Sequence, residues 1–296
     1  MTAISGPWTV RRLLEWTSGF FSRKEVDSPR LSAELLLSHV LGVPRIKLYT
    51  DYDRTLKEED LTAYRELVRR AGEHEPIAHL TGRAYFFNLE LEAHRGVLIP
   101  RPDTETLVEN VLQTVRHQSG MESPRILDLC TGSGCIAAAL AKGLASATVI
   151  ATDLSPKAIA AARANLSRLG LAGRVSVVEG DLFEALDGIV DAGPFHLIVS
   201  NPPYIPTGQI SMLDRNVREY EPKEALDGGP DGLDFHRRIL TQAAGRMLPG
   251  GMYFLEIGFD QGPAALALGE SFNEYDNVRV LRDYGGNNRV LTGRRK

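Results

Sequence analysis

Cysteine is scarce: two thiols in 296 residues, Cys130 and Cys135, give no disulfide scaffold to build on. They lie five positions apart in a Gly-rich stretch. That is neither a redox C-x-x-C nor half of a zinc site, because no matching cluster accompanies them. They read as reduced thiols, and the expected location is cytoplasmic. Apolar runs are short as well. None approaches the roughly 20 residues that span a bilayer, and the opening MTAISGPWTVRRLLEW lacks a secretory leader's apolar core. Positive charge is not in excess: 34 Lys and Arg face 38 Asp and Glu, for a net charge of −4. That argues against a chain whose main task is coating nucleic acid. No G-x-x-x-x-G-K-[ST] occurs, which excludes a phosphate-loop nucleotidase, and there is no internal repeat or low-complexity tract. What remains, 43 % hydrophobic and 24 % charged, is an ordinary globular composition, long enough for one large domain or two smaller ones.

The chain divides by periodicity. From Trp8 to about Gly72 the pattern is helical. Trp8 to Phe21 predicts a helix with Val10, Leu13, Leu14 and Trp16 mostly inward. Ser28-Pro29 reads as an N-cap with proline in the first turn, followed by a buried stripe of Leu31, Leu35 and Val40. Thr55-Leu56-Lys57-Glu58 reads as a capping box ahead of Leu61, Tyr64 and Val68. Tyr85 to Glu92 predicts a strand or hairpin. The expected organisation is a helical bundle over 1–75, a linker with a β-hairpin over 76–103, and an α/β domain over 104–296.

In that last segment strands alternate with helices: Arg125–Leu129, Thr148–Thr152, Val175–Val178, Leu197–Ser200 and Met252–Ile257. Alternation of this kind implies a mainly parallel sheet with right-handed crossovers. Strands near Val278–Val280 and Arg289–Leu291 follow each other without a helix and predict an antiparallel edge pair.

Ligands of such sheets bind beyond the carboxyl ends of the strands. Three features fall there. Asp128-Leu129-Cys130-Thr131-Gly132-Ser133-Gly134 follows the first strand, with small residues that let the backbone approach a ligand closely. Asp153 ends the second, 19 residues beyond Gly134, where an acid accepts hydrogen bonds from both ribose hydroxyls. Asp181 and Leu182 follow the third, a carboxylate and an apolar neighbour suited to adenine. Each has a plain structural alternative, a strand-to-helix turn, a cap or a solvated acid; their coincidence on three successive strand ends favours an adenosine site. The third glycine of G-x-G-x-x-G is missing, and the loop resembles the S-adenosylmethionine site of Rossmann-like methyltransferases. Those loops usually read D-x-G-x-G-x-G. Cys130 stands where the first glycine would be, so that position is expected to have no need of positive φ.

The fourth strand ends in Asn201-Pro202-Pro203-Tyr204. Neither proline has an N–H to donate, so the strand must stop. The tetrapeptide resembles the [DN]-P-P-[YFW] signature of methyltransferases that alkylate planar nitrogens. Such a nitrogen is a poor nucleophile because its lone pair is delocalised. Two acceptors, the Asn201 oxygen and the Pro202 carbonyl, would take its two N–H bonds and turn the lone pair toward the methyl donor. Tyr204 would supply a flat face.

Over nearly its full length the chain resembles the release factor glutamine methyltransferases, the HemK or PrmC family. The resemblance takes in Glu75-Pro76, Leu80-Thr81-Gly82, Leu98 to Glu105 (LIPRPDTE), the TGSG loop, NPPY, Glu221-Pro222, Asp231 to Asp234, Glu256-Ile257-Gly258 and Arg289-Val290. It implies an α/β Rossmann-like methyltransferase domain preceded by a small helical bundle that helps hold the release factor. It also implies transfer from S-adenosylmethionine to the glutamine of the Gly-Gly-Gln motif in class I peptide-chain release factors, with no metal. Pro100 and Pro102 stiffen a loop that opens a helix capped by Asp103 or Thr104, and Arg101 or Asp103 is expected to border the active site. The chain is expected to be a monomer without membrane or stable nucleic-acid binding. The rival readings are a DNA or RNA adenine-N6 methyltransferase using the same clamp on a flipped base, and a non-catalytic adaptor.

Overall fold

The structure is a computed structural model and describes residues 7–190 and 192–296. The first six residues of the opening stretch lie outside the described residues. The described chain forms two compact units, one of residues up to Arg83 with Arg215–Tyr220, the other of Ala84–Asp214 with Glu221–Lys296.

The smaller unit is helical, with helices Val10–Arg23, Pro29–Leu41, Arg45–Thr50, Glu58–Ala71, Ile77–Thr81 and Arg215–Arg218. Leu14, Phe21, Leu36, Leu37, Tyr64 and Val68 fill its core. Several local expectations fail here. On the second helix Leu31 is exposed and the buried stripe is Ala33, Leu36 and Leu37, a shift of phase along the same surface. Trp16 is also exposed, stacked on Phe20 at 5.4 Å. Ser28 precedes Pro29 but has φ 44° and makes no side-chain cap. Thr55 caps nothing: it bridges Thr9, while Leu56 N–H donates to the Trp8 carbonyl, so pairing with a distant segment outweighs the local box.

After the last of the N-terminal helices the chain forms a hairpin, β1 (Arg83–Phe86) and β2 (Leu89–Glu92). Phe87 and Asn88 between them have φ 48° and 61°, the two left-handed residues of a tight hairpin turn. The Phe87 N–H donates to Glu105 at 2.8 Å. The main sheet contains β3 (Arg125–Leu129), β4 (Thr148–Asp153), β5 (Val175–Glu179), β6 (Phe195–Ser200), β7 (Met247–Glu256), β8 (Tyr275–Arg282) and β9 (Asn288–Arg295). Their order is β5-β4-β3-β6-β7-β9-β8. The first five are parallel, and β9 runs antiparallel to both β7 and β8. The late strands do pair antiparallel, but only β8 is an edge.

Alternation along β6 explains why both faces are covered. Leu197 and Val199 join the core under the helices Glu105–His117 and Cys135–Gly143, while Ile198 joins the one under Asp234–Arg246. Strand order reverses at β3, with β4 on one side and β6 on the other. That reversal opens a crevice at the carboxyl ends of β3, β4 and β6. Among the described residues no helix is long and apolar enough to cross a membrane.

Candidate active site

A cavity of about 330 Å³ lies at that crevice, within the range of small-ligand pockets. Cys130, Gly132, Asp153, Asp181, Leu182, Asn201 and Pro203 line it. Thr131, Ser133, Gly134, Pro202, Tyr204 and Arg101 do not; they stand behind or beside its wall.

The loop after β3 is pinned from below. Asp128 is fully buried, and its Oδ2 accepts from the Thr131 hydroxyl at 2.6 Å and the Ala137 N–H at 3.1 Å. Burial pushes its carboxyl up to about 7. Ser133 is buried, and its carbonyl accepts from Asn165. Gly134 has φ 80°, and a Cβ there would sit 3.2 Å from the Ala162 backbone, so it sets the helix against its neighbour. The expectation for Cys130 was wrong. It has φ 57°, because the loop must turn at once for the Thr131 N–H to reach the Thr152 carbonyl. A cysteine here bears the left-handed strain that glycine would avoid. Gly132 lines the cavity, and a Cβ on it would meet no protein atom within 4 Å.

Asp153 is held by two backbone donors, Gly132 N–H on Oδ2 at 2.8 Å and Ser155 N–H on Oδ1 at 2.9 Å. Burial raises its pKa while those bonds oppose the rise. Each oxygen keeps a further lone pair for a ligand. Ser155 caps the next helix, accepting from Ala158 N–H. Asp181 meets Arg238 at 2.6 Å, a partner the sequence did not reveal. Leu154 and Phe235 complete the apolar wall and were also missed.

Asn201-Pro202-Pro203-Tyr204 follows β6 directly and is braced along its length. Asn201 Nδ2 donates to the Thr104 hydroxyl at 3.1 Å. The Tyr204 hydroxyl donates to Glu256 Oε1 at 3.2 Å, and the Tyr204 carbonyl accepts from Gln261 Nε2 at 2.8 Å. A Cβ on Gly228 would lie 2.7 Å from the Pro203 carbonyl, and one on Gly232 2.2 Å from that of Tyr204. Glycine is needed at both places so that one backbone can lie on another. Glu256 is fully buried at the end of β7, and burial pushes its pKa up to about 7 against the pull of Thr104, Arg289 and Tyr204.

Thr104 therefore does not cap its helix, nor does Asp103, which pairs with Arg289 at 3.0 Å. Arg101 Nη2 lies 2.7 Å from both oxygens of Glu221. Glu221 is itself pushed up to about 7 by burial, which outweighs Arg101. The turn it begins supplies Pro222, Glu224 and Ala225 to the cavity wall. Among residues missed as site elements, Glu256 carried a signal: a lone carboxylate closing the apolar run Met252 to Leu255. Gln261 carried none.

Two family models match. One, the PrmC N-terminal domain, covers residues 12–82, and the other, the methyltransferase small domain, covers 102–217. The human Mettl16 catalytic domain, solved with the MAT2A 3′UTR hairpin 6, shares the fold: TM-score 0.52 and 19 % identity over 70 % of this chain and 76 % of that one. The chain is 41 % identical to the release factor glutamine methyltransferase of Rhodopirellula baltica over 98 % of both chains. It is 43 % identical to that of Geobacter sulfurreducens over 97 % of both. A braced Asn-Pro-Pro-Tyr clamp beside an acid-lined cavity, matched at this identity from end to end, places the chain in the release factor glutamine methyltransferase family.

Proposed function

We propose that this chain methylates the side-chain amide nitrogen (N5) of the glutamine in the Gly-Gly-Gln motif of class I peptide-chain release factors. S-adenosylmethionine is the donor and S-adenosylhomocysteine the second product. The observation that carries the reading is the Asn201 amide: its Nδ2 is tied to Thr104, while its Oδ1 has no partner among the described residues and the residue lines the cavity.

The cavity suits the donor. Asp153 has lone pairs to spare for ribose hydroxyls, Asp181 and Leu182 offer a carboxylate and an apolar edge to adenine, and the loop Cys130-Thr131-Gly132-Ser133-Gly134 leaves room beside its backbone. S-adenosylmethionine, when bound, supplies an electrophilic methyl group on a sulfonium. The protein's part is to prepare the nitrogen. Asn201 Oδ1 and the Pro202 carbonyl accept the two amide N–H bonds, which orients the lone pair and stabilises charge as it develops there. Pro202 and Pro203 fix these acceptors before substrate arrives, and the Tyr204 ring packs on the planar amide. No residue is assigned as a base, since the product amide loses its extra proton to solvent, and no metal takes part. Arg101 acts on the substrate side by holding Glu221 and the wall that follows it.

In this reading residues 1–75 hold the release factor, 76–103 link, and 104–296 carry the chemistry. The enzyme works as a cytoplasmic monomer, without membrane or stable nucleic-acid contact; two free thiols agree with a reducing compartment. The test is methyl transfer from labelled S-adenosylmethionine to purified release factor, with its Gly-Gly-Gln glutamine intact or replaced, and separately to DNA. Label confined to the intact release factor supports the reading; label on DNA alone replaces it with adenine methylation.

A further inference from the structure

The two prolines of the clamp fix its φ angles but remove the donors that would tie its backbone to a neighbour. Among the described residues, no backbone-to-backbone hydrogen bond involves residues 201–204. The chain is next anchored at Ile205, whose N–H donates to the Leu226 carbonyl and whose carbonyl accepts from the Gly228 N–H, both at 2.9 Å. In between, a side chain takes the place of a neighbouring strand. Gln261 Nε2 donates to the Tyr204 carbonyl at 2.8 Å and to the Asp231 carbonyl at 3.3 Å.

The direction of the Gln261 amide follows from backbone groups alone. Its Oε1 accepts from the Gly258 N–H at 2.7 Å, and a backbone N–H can only donate. Nε2 is left to face two carbonyls, which can only accept. The residue is 7 % exposed, so water does not compete for these bonds. Its own backbone is fixed as well: the Gln261 N–H donates to the Gly258 carbonyl at 3.0 Å, and its carbonyl accepts from the Ala265 N–H at 2.9 Å, at the start of the helix Gly262–Glu270. Glycines make room for the amide on both sides. A Cβ on Gly258 would lie 3.0 Å from Oε1, and one on Gly232 2.4 Å from Nε2. Gln261 does not line the cavity, so it holds the clamp without touching the donor site.

We propose that Gln261 is a positioning residue for methyl transfer: it replaces the hydrogen bonds that the prolines remove and fixes the Tyr204 peptide against the turn at Asp231. This rests on the methylation reading above, which gives the clamp its role but not what places its backbone. A shift of about 1 Å at a substrate-positioning group costs on the order of 100-fold in rate.

The experiment uses the full-length enzyme and release factor, with steady-state kinetics from about pH 9 to about pH 6 and calorimetric titration of S-adenosylhomocysteine. Gln261→Met keeps the length and removes both hydrogen-bonding ends. It is expected to lower kcat by about 10- to 100-fold at every pH, with affinity for S-adenosylhomocysteine within about threefold of wild type. Gln261→Glu keeps the acceptor for Gly258 and, when ionised, has no donor for Tyr204. At about pH 9 it should match Gln261→Met. Burial raises the pKa of the introduced carboxyl, and once protonated it donates to the Tyr204 carbonyl as the amide does. Its kcat relative to wild type should therefore rise by at least about fivefold toward pH 6, while that of Gln261→Met stays level. The neighbouring charged groups, Glu256, Asp231, Asp234, Arg237, Asp260 and Arg289, are common to all three proteins, and the ratio to wild type at each pH cancels them.

A Gln261→Met enzyme with kcat near wild type overturns the proposal. So does a loss of S-adenosylhomocysteine affinity parallel to kcat, which would mark a collapsed cavity, or a Gln261→Glu enzyme whose ratio does not rise. If Gln261→Met fails to fold, the Gln261→Glu series decides alone, since it compares one folded protein with itself. A wild-type enzyme that binds S-adenosylhomocysteine but leaves release factor unmethylated is a different failure, that of the underlying reaction.

Discussion

Asp153 accepts the Gly132 N–H at 2.8 Å, so the acid at the end of β4 is bonded to the loop that follows β3. A residue read from the sequence as a ligand group is also part of the wall it stands in. Asp153→Ala should therefore weaken S-adenosylhomocysteine binding by at least about tenfold, or 1.4 kcal/mol. It should also lower stability by about 1 kcal/mol, because two half-buried N–H groups lose their acceptor. Calorimetric titration and urea unfolding of the same variant measure the two effects. Unchanged affinity would remove Asp153 from the donor site.

Asn201→Ala is expected to lower kcat by about 10²- to 10³-fold and, because Asn201 also lines the donor cavity, to weaken S-adenosylhomocysteine binding by a much smaller factor. Single-turnover methylation of release factor checks this. Full activity in a folded variant would refute the two-acceptor clamp.

Cys130, at φ 57°, separates backbone strain from side-chain volume. Cys130→Val places a β-branched residue in the left-handed region and should be less stable than Cys130→Gly by about 1–2 kcal/mol. Urea midpoints of the two variants give the comparison. Equal midpoints would mean that the loop readjusts to a negative φ.

Gly232 and Gly120 both have positive φ, but only Gly232 lies against another backbone. Gly120→Ala should cost about 1 kcal/mol from conformation alone. Gly232→Ala should cost more and also reduce kcat, since its new Cβ would press on the Tyr204 carbonyl and Gln261. If the two variants behaved alike in stability and kinetics, the glycine would have no part in shaping the clamp.

Asp128, Glu221 and Glu256 are each pushed up to about 7 by burial, from ordinary values near 4. The folded state thus holds protons that the unfolded chain has released, a contribution fully present at low pH and lost as pH rises through 7. His236 is depressed to about 4 and opposes this trend below its ordinary value of 6.5. Between pH 6.5 and 8.0 the carboxyls prevail, and stability should fall by up to about 1 kcal/mol for each. Urea midpoints across that interval test it; a flat profile would show that the three are ionised throughout.

The parts of the site legible in the sequence are those contiguous in it. Cys130 to Gly134 and Asn201 to Tyr204 announce themselves because each loop carries its own chemistry within a few residues. The brace is not legible. Thr104, Glu256 and Gln261 reach the clamp from other parts of the fold, and no local pattern marks them as partners of residues 201–204. Thr104 even had a plausible local role, as a cap, which its tertiary contact displaced. The same competition defeated Thr55. In the bundle the periodicity gave the helices but put Leu31 and Trp16 on the wrong side, since a stripe two turns long tolerates a small rotation. Cys130 failed for another reason: residue type is a weak guide to φ where a neighbouring strand dictates the turn.

The position of β9 imposes an order on assembly. It inserts between β7 and β8, pairing Val290 with Glu256. While residues 288–295 are still being synthesised, β7 has β6 on one side and an open row of backbone donors and acceptors on the other. Glu256 sits on that incomplete strand. The parallel half of the sheet and its loops are all encoded before residue 257, yet the carboxyl that accepts the Tyr204 hydroxyl is not enclosed until the antiparallel strand arrives. A nascent chain of this protein should thus acquire its donor cavity before it acquires a working clamp.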